Sequence, residues 1–139
     1  DLQKLGIQLN LSFENKTQLL DSFGNVLVFN VITQKMECYP QQVIDINGKF
    51  IIPLHVQDNG LAEVEIKKQT YLICMNDRRV TKLFKRHEAL ATGMHPIVIK
   101  KYSDYYLLSY KALNLSCDEQ GLCVFEDDEQ SSLHQFQLA

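Results

Sequence analysis

The sequence lacks the features that usually mark membrane proteins, nucleotide-binding enzymes and nucleic-acid binders. No apolar run approaches the roughly 20 residues that a membrane-spanning helix needs. There is no Gly-rich phosphate-binding loop and no Gly-x-Ser-x-Gly nucleophile elbow. The net charge of −3 disfavours a dedicated nucleic-acid binder, because such domains are normally basic. We therefore expect no membrane insertion, no nucleic-acid partner and no cofactor.

Histidine is scarce, and its positions do not suggest a catalytic motif. The four histidines lie in four different segments, and none shares a short motif with a carboxylate or a cysteine: His55, His87, His95 and His134. A catalytic triad could still assemble from residues that are distant in sequence. The absence of motifs nevertheless favours a protein without enzymatic activity.

The four cysteines, Cys38, Cys74, Cys117 and Cys123, include no Cys-x-x-Cys pair. Zinc sites usually have ligands at short spacing, and Cys117 and Cys123 lie six residues apart with no histidine nearby, so we expect no metal site. Two interpretations remain. Cys117 and Cys123 could form a disulfide across the turn at residues 118–121. Alternatively, all four could be small buried thiols at strand positions, as is common for free cysteine.

The composition is that of an ordinary folded domain. With 139 residues, 45% of them hydrophobic and 22% charged, the chain can bury a core without disulfides or metals. We expect a single domain over residues 1–139. The sequence starts at Asp1 and shows no signal peptide there, from which we expect a processed or trimmed piece.

An apolar run, a polar turn and a second apolar run follow one another three times. The turns are at residues 21–25, 76–79 and 118–121, and β-branched or aromatic residues flank them, as in β-hairpins. Leu20, Leu72 and Leu115 hold corresponding positions, 52 and 43 residues apart. The spacing predicts an all-β fold of three pseudo-repeats of about 40–50 residues. The alternative is coincidence, because β domains have a turn about every 8–12 residues.

Other apolar patterns predict further strands. Alternation at residues 7–13 indicates a half-buried strand, and the apolar run at 26–31 a strand covered on both faces. The turn signal Asn47-Gly48 predicts a hairpin between strands at 43–46 and 50–52. Near residue 64, Ala62, Val64 and Ile66 should point inward and Glu63, Glu65 and Lys67 outward. In the last strand, the residues expected inward are His134, Phe136 and Leu138.

Residues 76–93 are compatible with two structures. Asn76 and Gly93 would cap an amphipathic basic helix. Alternatively, a strand ends near Phe84 and a long basic loop follows to Met94. The threefold pattern favours the strand and loop, because the other two copies leave their turns as strands. A helix over residues 77–92 would instead suit an oligonucleotide-binding barrel.

Two charged segments are candidate binding surfaces. Five cations lie within nine residues, at Arg78, Arg79, Lys82, Lys85 and Arg86. Four consecutive anions follow later, at Glu126, Asp127, Asp128 and Glu129. Such runs are usually solvated faces, but together they could form a polarised surface that steers a protein partner.

Three N-glycosylation sequons begin at Asn10, Asn15 and Asn114. Eight asparagines would give roughly one sequon by chance. The excess favours an extracellular glycoprotein.

Three segments in the second half of the chain, at residues 62–75, 106–117 and 131–138, together resemble the interleukin-1 family of cytokines. Residues 62–75 (Ala-Glu-Val-Glu-Ile-Lys-Lys-Gln-Thr-Tyr-Leu-Ile-Cys-Met) are similar to the family's strand before its Leu-Tyr-Leu-Ser-Cys segment. Residues 106–117 (Tyr-Leu-Leu-Ser-Tyr-Lys-Ala-Leu-Asn-Leu-Ser-Cys) resemble a later family stretch, with Leu115 at the position of an aromatic residue. Residues 131–138 (Ser-Ser-Leu-His-Gln-Phe-Gln-Leu) resemble the last strand. Fibroblast growth factors, which share a segment similar to residues 71–75, are the rival resemblance.

The resemblance implies a β-trefoil and a secreted, monomeric ligand, exported in many family members without a signal peptide. Such a cytokine binds the immunoglobulin-like ectodomain of a cell-surface receptor in immune signalling, and has no catalytic site and no cofactor. Gln135 occupies a position where, in some family members, an acidic residue accompanies receptor signalling and a lysine accompanies antagonism. The alternative is another non-enzymatic module: a growth factor, a lectin-like trefoil or an oligonucleotide-binding barrel. The candidate receptor-binding residues are Asn76, Asp77, Arg78, Arg79, Glu126, Asp127, Asp128, Glu129 and Gln135.

Overall fold

Antiparallel strands make up most of the described structure. The computed structural model describes residues 18–127 and 132–139, so the strand predicted at residues 7–13 lies outside the described residues. In chain order the elements are β1 (Leu19–Leu20), β2 (Val26–Asn30), β3 (Lys35–Tyr39), α1 (Gln41–Asn47), β4 (Ile51–Pro53), β5 (Glu63–Ile66), β6 (Gln69–Met75), β7 (Thr81–Lys85), β8 (His95–Pro96), β9 (Val98–Lys101), β10 (Tyr106–Tyr110), β11 (Leu113–Cys117), β12 (Cys123–Glu126), a 3₁₀ turn (Ser132–His134) and β13 (Gln137–Leu138). The predicted all-β class is confirmed.

The strands form three antiparallel sheets, each built mainly from one third of the chain. Sheet 1 has the order β13-β1-β2-β3, with β4 also paired to β2. Sheet 2 has the order β5-β6-β7, with β8 paired to β6. Sheet 3 has the order β12-β11-β10-β9. Because β13 pairs with β1, the last described residues return to the first sheet.

The three predicted turns have the same local structure. In each, the Oδ1 atom of the first residue, Asp21, Asn76 or Asp118, accepts hydrogen bonds from the backbone N–H groups two and four residues later, at 2.9–3.1 Å. An Asp or Asn side chain at this position therefore closes the turn. The fourth residue is left-handed in all three, with φ of +81°, +64° and +85° at Gly24, Arg79 and Gly121.

The first turn nevertheless occupies a different place in its sheet. The second and third turns join β6 to β7 and β11 to β12, whereas the first joins β1 to β2. Strand β2 then makes a second hairpin with β3, and α1 follows before β4. These additional elements occupy the longer of the two spacings between the predicted repeats.

One hydrophobic core lies among the three sheets. Full burial of one Val, Leu, Ile, Phe or Met side chain in such a core stabilises the fold by about 1.5–3 kcal/mol. No helix in the described ranges is long and apolar enough to cross a membrane. The most buried core side chains include Leu27 and Phe29 of sheet 1, Ile73 and Met75 of sheet 2, Leu108 and Leu115 of sheet 3, and Phe136.

The strand predicted at residues 43–46 is wrong, because this segment belongs to α1. Its expected hairpin partner at residues 50–52 largely forms as β4, which pairs with β2 instead. The backbone bonds locally instead, and Ile44 is the one buried residue of the helix. It packs with Val26, Val28 and Ile51, while Ile46 remains 82% exposed.

The preferred interpretation of residues 76–93 is confirmed. Strand β7 follows the second turn, and residues 86–94 form turns and loop without a helix. An oligonucleotide-binding barrel was expected to have a helix over residues 77–92, so this alternative loses its support.

Two side-chain orientations were predicted wrongly. Glu63 is 2% exposed rather than outward, because its carboxylate pairs with Arg86 (2.6 Å) and accepts a hydrogen bond from Asn59 (2.6 Å). Leu138 is 43% exposed rather than inward, since β13 is a short strand at the edge of sheet 1. His134 and Phe136 are buried as predicted.

Candidate functional site

A small cleft of about 190 Å³ opens where the three sheets meet. We call it the central cleft. Strand β3 contributes one wall, β6 with the following turn contributes the second, and β11 with β12 contributes the third. The lining residues are Lys35, Met36, Met75, Arg79, Thr81, Leu115, Cys123, Val124 and Phe125.

The central cleft combines an apolar floor with a basic rim. Met36, Met75, Leu115 and Phe125 are buried beneath it. At the rim, Lys35 and Arg79 are exposed, and Val124 is 52% exposed. No His, Asp or Glu is among the described residues that line the cleft.

The turn at residues 76–79 is anchored to both neighbouring sheets. Asp77 Oδ1 accepts hydrogen bonds from the hydroxyl of Tyr110 at the end of β10 (2.8 Å) and from the ammonium of Lys111, the next residue (2.6 Å). Hydrogen bonding to Lys111, and then to Tyr110, holds the pKa of Asp77 below its usual range. On the other side, the Thr81 hydroxyl donates to the carbonyl of Gln34. The turn is therefore held from two directions.

Anchoring leaves the basic side chains of this turn available. Asn76 is used internally, because its side chain closes the turn. Arg78 and Arg79 are exposed, and Val80, which follows them, is 55% exposed. Of the predicted site residues that the structure describes, Arg79 alone lines the central cleft, and Arg78 lies beside it in the same turn.

The predicted acidic residues that the structure describes, Glu126 and Asp127, do not join this surface. The Glu126 carboxylate lies 3.4 Å from Nε2 of the buried His134, and Asp127 is exposed. Neither residue lines the central cleft. Asp128 and Glu129 lie outside the described residues. Gln135 is half-buried, and its N–H donates to the Ser132 carbonyl at 3.1 Å.

The disulfide interpretation of the cysteine pair is confirmed. Cys117 and Cys123 are bonded across the third turn, with a Cα–Cα separation of 4.1 Å. Cys38 and Cys74 are free and buried. Burial raises the pKa of the Cys74 thiol to about 11. Cys38 Sγ lies 3.7 Å from Cys123 Sγ, so a free thiol is next to the disulfide.

One of the predicted glycosylation positions is buried. Asn114 is 4% exposed, and its Oδ1 accepts a hydrogen bond from the Ser109 hydroxyl at 2.6 Å. The folded protein has no room for a glycan there. Asn10 and Asn15 lie outside the described residues.

A second, wider groove of about 690 Å³ lies between the β4 region and β5–β6. Its lining mixes acidic and basic side chains and includes the Glu63–Arg86 ion pair. Lys67 and Lys68 form the left-handed turn at its edge, with φ of +51° and +65°. The mixed charge gives this groove no single preferred class of ligand.

Sequence reasoning missed Lys35, Val124 and the apolar floor of the central cleft. These residues come from three sheets and converge through tertiary packing, which no local pattern reports. Alternation on β12 was the one usable signal, since Phe125 is buried and Val124 exposed. Comparison of the chain with protein-family models, curated proteins and solved structures found no match.

Proposed function

We propose that this protein is a β-trefoil ligand that binds the immunoglobulin-like ectodomain of a cell-surface receptor, in the manner of an interleukin-1 family cytokine. The contact surface is the central cleft together with the turn at residues 76–79. The observation that carries the proposal is this anchored basic turn beside an apolar-floored cleft.

The strand arrangement supports the trefoil part of the proposal. Three antiparallel sheets share one core, and each contains a hairpin closed by the same Asx turn. The pairing of β13 with β1 brings the third repeat back to the first. A trefoil requires both features, since its three repeats surround a common axis.

The chemistry of the surface supports a protein partner. Val124 and Val80 expose apolar area next to the cationic side chains of Lys35, Arg78 and Arg79. Protein interfaces typically have an apolar centre and a polar rim, and Arg is enriched in them. The complementary partner surface has an apolar centre flanked by carboxylates, which would speed association with the cationic rim.

The disulfide supports an extracellular location. Disulfides persist in oxidising environments and are rare where glutathione keeps thiols reduced. We propose a secreted monomer, as the resemblance to the interleukin-1 family implies.

The test is binding of the disulfide-bonded protein to a panel of immunoglobulin-like receptor ectodomains, measured by surface plasmon resonance at two salt concentrations. For a binding ectodomain, Arg79→Glu should weaken affinity about tenfold or more, with a slower association rate and a smaller salt dependence. Lys49→Glu is the matched control, because it makes the same charge change at an exposed lysine outside the cleft. Absence of binding across the panel, or equal affinities of the two variants, would refute the proposal.

A further inference from the structure

Three sulfur atoms from two sheets meet at one place, where Cys38 and Cys117 are buried and Cys123 is half-buried. The Sγ atoms of Cys38, Cys117 and Cys123 all lie within 4.8 Å of one another. They meet because the third turn packs onto β3, where the Cys38 N–H donates to the Gly121 carbonyl at 2.9 Å. A Cβ atom at Gly121 would overlap the Cys38 carbonyl oxygen, so the contact depends on glycine.

The arrangement is not suited to exchange between the free thiol and the disulfide. Exchange requires the attacking sulfur to approach nearly in line with the bond that breaks. Cys38 Sγ is 3.7 Å from Cys123 Sγ and within 4.8 Å of Cys117 Sγ. With an ordinary S–S bond of about 2.05 Å, these distances limit the approach angle to about 110° or less. The three sulfurs therefore form a compact triangle rather than a line.

A buried carboxylate oxygen without a hydrogen bond lies beside this triangle. Asp21 is 6% exposed, and its Oδ1 closes the first turn. Its Oδ2 is buried and accepts no hydrogen bond from the described residues. The turn that Asp21 closes leads into Val26, which pairs with Tyr39, the residue after Cys38. A buried polar atom without a partner is costly, and a cation would satisfy it.

We propose that the reduced protein binds one Zn²⁺ here, through the thiolates of Cys38, Cys117 and Cys123 and the Oδ2 atom of Asp21. Tetrahedral zinc with Zn–S bonds of about 2.3 Å places its sulfur ligands about 3.8 Å apart. The observed Cys38–Cys123 separation of 3.7 Å fits this value. Three thiolates and one carboxylate suit Zn²⁺, which accepts both ligand types. Four protein ligands make a closed, structural site rather than a catalytic one.

The metal-bound and disulfide-bonded forms exclude each other. Two small thiols such as glutathione open the disulfide: they supply two electrons and two protons to Cys117 and Cys123, and leave joined as their own disulfide. Zn²⁺ then replaces the protons of three thiols. The site would thus form wherever the chain is kept reduced. The bound metal would link sheet 1 to sheet 3, whereas the disulfide of the present structure lies within sheet 3.

The test uses the whole chain, reduced by a phosphine, and Co²⁺ as a spectroscopic probe for Zn²⁺. We expect one equivalent of Co²⁺ to give thiolate charge-transfer absorption and intense tetrahedral d–d absorption, both removed when Zn²⁺ displaces it. Cys38→Ala should weaken affinity by more than the 10- to 100-fold that is roughly typical of losing an outer-shell partner. Asp21→Asn should weaken it less. Cys74→Ala is the matched control, because Cys74 is a free buried thiol that packs with Leu72, Phe84 and Met94, away from the three sulfurs. This variant should bind Co²⁺ with the affinity of the wild type.

A second measurement does not depend on variants. Adding one equivalent of Zn²⁺ to the reduced wild-type protein near neutral pH should release about three protons, measured with a pH indicator. Absence of the charge-transfer absorption, release of no protons, or an unchanged spectrum in a folded Cys38→Ala variant would overturn the proposal.

Discussion

Replacing Gly121 by alanine tests how the third turn packs onto the first sheet. Gly121 has a φ of +85°, and its carbonyl accepts the Cys38 N–H at 2.9 Å. A Cβ atom would overlap the Cys38 carbonyl oxygen, which is backbone and cannot rotate away. The substitution must therefore separate the turn from β3 or distort both segments.

The magnitude follows from three contributions. A left-handed backbone costs an alanine roughly 1–2 kcal/mol. Overpacking adds about 1–3 kcal/mol, and the weakened hydrogen bond adds about 0.5–1.5 kcal/mol. We expect Gly121→Ala to lower the free energy of unfolding by about 2.5–6.5 kcal/mol, a large part of the 5–15 kcal/mol typical of a domain.

Gly24→Ala is a matched control, because Gly24 holds the corresponding fourth position of the first turn, which has the same local structure. Its φ is +81°, and a Cβ there would meet nothing within 4 Å. This variant should lose only the roughly 1–2 kcal/mol of backbone strain. The difference between the two variants isolates the cost of the contact with β3.

Urea-induced unfolding, followed by circular dichroism with the disulfide intact, measures both variants. The m-value should remain close to that of the wild type, so that the midpoint shift reports stability. If Gly121→Ala proves no more destabilising than Gly24→Ala, the packing of the third turn on β3 contributes nothing and the reasoning is wrong.

Three further predictions concern ionisable groups. Arg86→Ala leaves the buried Glu63 carboxylate without its cation and should lower the free energy of unfolding in urea by about 1–3 kcal/mol. This is less than the cost for a fully buried ion pair, because Arg86 is half-exposed. Lys85→Ala, at an exposed neighbouring residue, should lower it far less. Hydrogen bonds from Lys111 and Tyr110 lower the pKa of Asp77, so its ionised carboxylate stabilises the fold above the unfolded pKa, and this stabilisation is lost as pH falls through the folded pKa. Asp77→Asn should therefore flatten the dependence of the melting temperature on pH below about pH 4. An unchanged slope would contradict this. The raised pKa of Cys74, about 11, predicts slow alkylation by iodoacetamide at pH 8 until urea unfolds the chain, and fast labelling of the native protein would count against it.

The three turns could be predicted from the sequence because their determinants are local. Asp21, Asn76 and Asp118 each accept hydrogen bonds from backbone N–H groups within the next four residues. Glycine occupies the left-handed position in two of the turns, where it avoids Cβ strain. These interactions are complete within five residues, so tertiary packing did not change them.

The helix α1 could not be predicted, because its formation depends on tertiary packing. Residues 43–46 are rich in Val and Ile and are followed by an Asn-Gly signal, both of which favour a hairpin. In the structure β4 pairs with β2 instead, and Ile44 of the helix packs against Val26, Val28 and Ile51. Glu63 was misjudged for a similar reason, since its cation lies 23 residues away on the loop after β7.

The candidate site was predictable only where it is exposed and contiguous. The run of cations identified Arg78 and Arg79, because charge is visible in the sequence. Lys35 and Val124 reach the central cleft from other sheets. The zinc rule based on short ligand spacing likewise could not connect Cys38 with a pair about 80 residues later, although the structure places all three sulfurs together.

The same type of turn therefore has a different role in each of its three occurrences, and the role depends on the fourth residue of the turn. Arg79 points a cation outward at the rim of the central cleft, whereas Gly121 brings the backbone of the turn against β3. Gly24 has open space around its Cβ position and so carries neither constraint. An arginine should consequently be tolerated at Gly24, at the modest strain that Arg79 already bears, and not at Gly121. The backbone of the third turn packs against β3, whereas the second turn exposes the Arg79 side chain that a partner would contact.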